Sequence, residues 1–492
     1  MTTLKEKTIH SLFWKLLEKG GNQAASLIVQ IFLARLLVPE DFGNLAILLV
    51  FINIGNVIVQ SGLNTALVQS QTANETDYST VFWLCFSFSL LGYGVLFFFA
   101  PYISTFYNSD ITPHLRILAI VLIVNSFYSV QVARMQRELN FKPIFKATFI
   151  STAISGTAGI VLAYCGSGLW SLIVQQIVYS SLNCMVLFFL SPWYPRFIFS
   201  RHRARRHYSY GWHLLVSGLL DTGYQSLSDL LIGKTFGPAD LGIVSQGKKF
   251  PVAVGGLLDG TIQPVMLSAV SRVQQDARVV KELVSRALKT STFVIIPAMT
   301  LLALVAEPLI RVVLGEKWLP AVPFMQMYCV IYAMLPIHTS NLQALNGIGR
   351  SDLFLRLEIL KKAYGIAILL IATFVFRNLY VIVAGYILAD LISTFVNTLM
   401  SKKTFGYSYI EQLRDISPCI LLTGAAGCLC YPLSMLSLPD LPLIALQSLT
   451  MAGAYILLAH IFHIEEYCYI RKTLKEILTK KSNQFADKED VG

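Results

Sequence analysis

Charge is what this sequence lacks most. Only 14% of its 492 residues are Asp, Glu, Lys or Arg, and 55% are hydrophobic. A soluble protein carries roughly 25% charged residues, so much of this surface is expected to face lipid. The eight cysteines show no metal-ligand or disulfide spacing. Most, including Cys85, Cys165, Cys184, Cys329, Cys428 and Cys430, sit in apolar runs and read as small core residues. No GxxxxGK[ST] sequence occurs, which argues against ATP hydrolysis by this chain. HExxH and GxSxG are also missing. The histidines are scattered, and His338 reads as a hydrogen-bonded core residue rather than a ligand. No metal and no cofactor is expected. The N-terminus lacks a short apolar core followed by a small-residue cleavage site, so the first helix is expected to stay.

What is present is a series of apolar stretches, each able to cross a hydrocarbon core of about 30 Å. Fourteen membrane helices are predicted: Ser11–Leu37, Asn44–Val68, Ser79–Phe99, Leu115–Met135, Ile144–Tyr164, Leu169–Leu190, Trp212–Phe236, Leu241–Val265, Thr290–Val313, Val322–Leu345, Leu357–Phe376, Leu379–Met400, Pro418–Met435 and Leu443–Phe462. The net charge of +11 lies in alternate loops. Those after the fourth, sixth, eighth, tenth and twelfth helices are basic, and the opposite loops are short and nearly neutral. Excess Lys and Arg mark the cytoplasmic side, which puts both termini of this multi-pass membrane protein in the cytoplasm. The loop with Glu75 and Asp77 is the one that gives no vote. The run Arg201–His207 reads as an orientation signal; a lipid-headgroup or nucleic-acid patch is the competing reading.

The halves repeat. Pro39-Glu40-Asp41-Phe42-Gly43 returns 199 residues later as Pro238-Ala239-Asp240-Leu241-Gly242. Arg35 maps to Lys234 at that offset, and Leu169-Trp170 maps to Leu379-Tyr380 at 210. A unit of six helices is even-numbered, so its second copy enters the membrane in the same sense, a parallel repeat. The predicted architecture is all-α: a six-helix lobe at 1–195, a basic linker at 196–211, a second lobe at 212–405, two added helices at 406–465 and a tail at 466–492.

Polar residues inside the spans fall at helical spacing. Lys15, Glu18, Lys19, Asn22, Ser26 and Gln30 share a face of the first helix. Asn53, Asn56, Gln60 and Asn64 do so in the second, Ser217, Asp221, Gln225 and Asp229 in the seventh, and Lys248, Gly255, Asp259 and Gln263 in the eighth. The 199-residue offset superposes Glu18, Asn22, Ser26 and Gln30 on Ser217, Asp221, Gln225 and Asp229, and Asn56, Gln60 and Asn64 on Gly255, Asp259 and Gln263. Intramembrane ionisable residues usually face an internal cavity, so the two lobes are expected to surround one wet chamber. Interhelical hydrogen-bond glue is the rival for the amides. Lys15 and Lys19 could instead snorkel to the surface. A further stripe, Asp390, Thr394 and Asn397, faces either the chamber or its own half. Glu307 and Arg311 are spaced to pair. Pro251, Gly255, Gly256, Pro264, Pro297 and Pro336 are expected to break or kink their spans.

Several motifs carry a family resemblance. They are Lys5-Glu6-Lys7-Thr8, Trp14, Leu33-Ala34-Arg35, Pro39-x-Asp41-Phe42-Gly43, Met135-Gln136-Arg137-Glu138-Leu139-x-Phe141 and Leu314-Gly315-Glu316-Lys317-Trp318. The chain resembles the Wzx-type polysaccharide flippases of the multidrug/oligosaccharidyl-lipid/polysaccharide exporter superfamily, and among them the colanic-acid and teichuronic-acid exporters. The resemblance implies two six-helix lobes around a central cavity plus two C-terminal helices. It implies export of an undecaprenyl-pyrophosphate-linked oligosaccharide from the cytoplasmic to the periplasmic leaflet, for lipopolysaccharide or exopolysaccharide synthesis. Membrane lipid and the polysaccharide polymerase and export machinery are the implied partners, and nucleic acid is not. Cavity cations in such flippases hold the pyrophosphate; the matching candidates are Lys248, Lys249, Lys15 and Lys19. Asn22, Gln60, Asn64, Asp221, Gln225, Asp229, Asp259, Gln263 and Asp390 are the candidates for sugar hydroxyls or for H+ or Na+ coupling. An ion-coupled multidrug antiporter of the same superfamily is the alternative. A membrane glycan polymerase or ligase would need a long outer loop, whereas the longest here is about fifteen residues. A scaffold would not need charged faces in register.

Overall fold

The computed structural model describes the backbone of residues 4–60, 62–70, 73–138, 140–191, 193–469 and 471–472; side chains are described from residue 20 onward, except 210, 258, 259, 261, 264 and 351. The chain divides into two compact units, 1–246 and 247–492. All regular structure among the described residues is helical.

The first unit holds α1 (Leu4–Leu36), α2 (Pro39–Gln60), α3 (Leu63–Gln69), α4 (Glu75–Tyr107), α5 (Thr112–Leu118), α6 (Ile120–Arg137), α7 (Lys142–Tyr164), α8 (Leu169–Leu190), α9 (Arg201–Thr235) and the start of α10 (Pro238–Arg272). Helix α7 packs between α1 and α8, and α2 lies against α4, α6 and α9. The second unit continues α10 and adds α11 (Ala277–Leu304), α12 (Ala306–Val313), α13 (Val322–Ala333), α14 (Leu335–Gly347), α15 (Ser351–Ile371), α16 (Leu379–Phe405), α17 (Tyr409–Cys430) and α18 (Asp440–Ile461). Here α11 packs on α13, α14 and α17, and α16 on α13, α14 and α15. The last two helices pair with each other, and Phe293 of α11 packs among Cys419, Leu422, Met451 and Tyr455.

Helix starts follow local chemistry. Asn74 caps α4 in a capping box with Asp77, and Ser408 caps α17 with Glu411. Asn378 caps α16, whose C-terminus ends on Gly406 at φ +73°.

Among the described residues, eleven of the fourteen expected spans are long and apolar enough to cross a membrane on composition. The other three are the expected first, seventh and eighth, which correspond to α1, α9 and α10. They run to 33, 35 and 35 residues. Their length is ample, and the polar stripe on each lowers its apolar content. The lipid-facing reading is supported by large side chains turned outward, among them Phe98, Phe189, Leu421 and Leu449. A soluble monomer rarely exposes so much contiguous apolar surface.

Three local expectations change. The second helix does not run on to Val68. It stops at Gln60, and Asn64 lies on the separate α3, because Gly62 adopts φ +66°. A β-carbon there would also sit 2.5 Å from the Gly211 carbonyl and 2.7 Å from Leu214 Cβ, so glycine serves both the turn and the approach of α9. Pro251, Pro264 and Pro297 do not interrupt their helices; only Pro336 falls at a helix start. Cys165 and Cys428 are exposed rather than core residues. In a membrane protein an apolar run faces lipid as readily as the interior, so the run cannot distinguish the two.

The structure also explains the loop that gave no topological vote. Asp77 is buried and accepts from Arg203 Nη1 and from His207 Nε2, the latter at 3.0 Å. Glu75 accepts from Trp193 Nε1 at 2.8 Å and lies 3.8 Å from Arg134. The acids of this loop are neutralised by the basic linker and the end of α6. Arg201, Arg205 and Arg206 of the same run stay exposed. In the second unit, Arg311 joins Glu307 at 2.6 Å and Asp440 at 2.9 Å, so the expected i,i+4 pair also ties α12 to α18.

Candidate functional site

In the first unit, the polar face of α2 and α3 meets a matching face of α6. Asn56 is used as glue: its Oδ1 accepts from Asn125 Nδ2 at 2.9 Å, and Asn125 Oδ1 accepts from Tyr128 OH at 3.1 Å. Gln60 and Asn64, one and two turns further on, instead line a cavity of about 290 Å³ with Asn125, Tyr128, Ser129 and Gln136. The amide stripe read from the sequence therefore divides in two. The α6 side of this cavity was missed, although Asn125, Ser129 and Gln136 recur at helical spacing and that spacing was its signal. Asn22 lies elsewhere, with Oδ1 accepting from Thr152 Oγ1 at 2.7 Å across the α1–α7 contact. On α9, Gln225 Nε2 donates to Asp221 Oδ2 at 3.1 Å on an exposed face, and Asp229 is half-buried. The side chains of Lys15 and Lys19 lie outside the described residues.

In the second unit, Lys248 and Lys249 are half-buried on α10 and Gln263 is exposed. The Asp259 side chain lies outside the described residues. The stripe on α16 faces its own half. Asp390 Oδ1 stands 3.2 Å from His338 Nε2 of α14, and Asn397 Nδ2 stands 3.0 Å from His338 Nδ1. The ring of His338 thus lies between the Asn397 amide and the Asp390 carboxylate. Thr394 Oγ1 lies 3.5 Å from Nε2. His338 is hydrogen-bonded and partly buried as expected, but the sequence did not reveal its carboxylate partner. The two residues lie 52 positions apart on different helices, so no spacing could have paired them. One layer further along the same helices, Asn341 and Gln412 exchange reciprocal amide bonds at 2.9 and 3.0 Å, with Ser401 Oγ donating to Asn341 at 2.6 Å. All three are buried, and this network joins α14, α16 and α17 as glue.

Chemically, these groups can bind hydroxyls, hold an anion and carry a proton. Among the described residues no cluster of three or more His, Cys, Asp or Glu could hold a metal ion.

Comparison with known proteins agrees with this description. The succinoglycan biosynthesis transport protein ExoT of Rhizobium meliloti is 24% identical over 71% of each chain. The teichuronic acid biosynthesis protein TuaB of Bacillus subtilis is 22% identical over 77% of this chain and 79% of its own. Among solved structures, the lipid II flippase MurJ in an inward closed conformation superposes with a TM-score of 0.74 at 14% identity, covering 92% of this chain and 99% of that one. The profile of the family described as "Polysaccharide biosynthesis protein" matches residues 32–323. That match spans more than half of the chain, and the protein belongs to this polysaccharide biosynthesis family.

Proposed function

We propose that this protein flips an undecaprenyl-pyrophosphate-linked oligosaccharide from the cytoplasmic to the periplasmic leaflet of the bacterial inner membrane, supplying lipopolysaccharide or exopolysaccharide assembly. The carrying observation is the set of ionisable and amide side chains held inside helices that otherwise suit lipid. Such groups are costly in hydrocarbon and mark a transport path. Family membership and a fold shared with a lipid flippase support the same reading, and both point to a transporter rather than an enzyme. In this reading α1, α9 and α10 complete fourteen spans, arranged as two six-helix lobes with two added helices, and both termini are cytoplasmic. Lys248 and Lys249, with Lys15 and Lys19, hold the pyrophosphate. Gln60, Asn64, Gln225 and Gln263 bond sugar hydroxyls, while the polyprenyl tail stays in lipid. Asp221, Asp229, Asp259 and Asp390 serve ion coupling, and transport proceeds by alternating access. The polymerase and export machinery act on the delivered product.

Deletion of the gene tests the reading. Lipid-linked repeat units are expected to accumulate in the cytoplasmic leaflet, with surface glycan falling at least tenfold, as measured by leaflet-selective labelling of membranes. Normal glycan with altered tolerance to cationic drugs would overturn the proposal in favour of an antiporter.

A further inference from the structure

We infer that the cavity between α2, α3 and α6 is a subsite for one uncharged pyranose of the carried glycan. The inference rests on the flippase reading and specifies which sugar chemistry this lobe selects. Three observations support it. The first is size: at about 290 Å³ the cavity lies at the lower bound of small-molecule sites, about 300 Å³, which suits one ring and not a chain of them. The second is composition. Gln60, Asn64, Thr65, Asn125 and Gln136 supply amides and a hydroxyl, Tyr128 with Val68 and Val132 supplies apolar wall, and none of the lining residues is charged. A pyranose with hydroxyls on its rim and C–H groups on its face matches that mixture. An acidic sugar would leave its hydration shell without meeting a cation, which is unfavourable. The third is a preset wall, because Tyr128 is tethered to Asn125 and Asn125 to Asn56. Gln60, Thr65 and Gln136 are exposed at the mouth, where a ring can enter.

The test measures binding to the full chain in nanodiscs by native mass spectrometry, with three probes: undecaprenyl-pyrophosphoryl-glucose, undecaprenyl-pyrophosphoryl-glucuronic acid and undecaprenyl pyrophosphate. The glucose-linked lipid is expected to bind at least tenfold more tightly than either other probe. Gln60→Leu with Asn64→Leu is expected to bring all three within about twofold of one another. Binding of the sugar-free lipid then reports that the variant is folded. Equal binding of the three probes by the unmodified protein overturns the subsite, as does a variant that keeps the preference. Failure of the unmodified protein to bind any of the three overturns the flippase reading itself, and the subsite with it.

Discussion

Gly43→Ala is expected to lower the thermal midpoint of the purified protein by roughly 3 °C, and Gly242→Ala by about as much. These are the glycines that close the two copies of the repeated motif. A β-carbon at Gly43 would overlap the carbonyl of Pro238, and one at Gly242 would overlap the carbonyl of Pro39. The start of α2 and the start of α10 thus cross back to back, each glycine against the other copy's proline. The obstruction is backbone rather than a flexible side chain, so relief requires moving a helix end. Overpacking typically costs about 1–3 kcal/mol, and a backbone clash belongs at the upper end. Because both glycines serve one contact, the double variant should lose clearly less than the sum of the singles. Gly94→Ala is the control. Its β-carbon would meet nothing within 4 Å, and replacing a mid-helix glycine by alanine is neutral or gains up to about 1 kcal/mol. Scanning fluorimetry on the four variants reads the result; additive losses, or a loss at Gly94 equal to that at Gly43, would contradict it.

Asp390→Asn and His338→Ala are expected to cut gradient-driven transport at least tenfold, about 1.4 kcal/mol in the barrier, while substrate binding stays within about twofold. The reason lies in how the pair is wired. His338 has Asn397 at Nδ1 and Asp390 at Nε2, so an imidazole and a carboxylate from two different helices stand within hydrogen-bond reach of each other. If the pair serves coupling as proposed, an imidazole beside a carboxylate predicts H+ as the ion carried. The check is transport in vesicles with and without an imposed pH gradient. The unmodified protein should respond to the gradient and both variants should not; variants that respond fully would remove the pair from coupling.

The sequence carried the architecture further than the site. Apolar runs located eleven of the spans among the described residues because such a run is written locally, in about twenty residues. The repeated Pro-x-Asp-x-Gly motif was visible as a repeat, yet its physical cause was not. That cause is a contact between segments 199 positions apart. Stripes could be read as polar faces, but one face can serve two ends: Asn56 bonds Asn125 while Gln60 lines a cavity. Gly62 divided a helix that composition alone made continuous. His338 shows the same limit, since Asp390 announced a polar partner on α16 and only packing could say which residue answered it.

The central claim is that this chain moves a polar, sugar-bearing lipid across a bilayer. It is tested most directly by reconstituting the purified protein in vesicles loaded with undecaprenyl-pyrophosphoryl-glucose and following the lipid's appearance in the outer leaflet with an impermeant, sugar-oxidising reagent. A protein-dependent rise in the accessible fraction, slowed at least tenfold by Asp390→Asn under a pH gradient, is the predicted result. An accessible fraction equal to that of protein-free vesicles, with folded protein that binds the same lipid, would contradict the account.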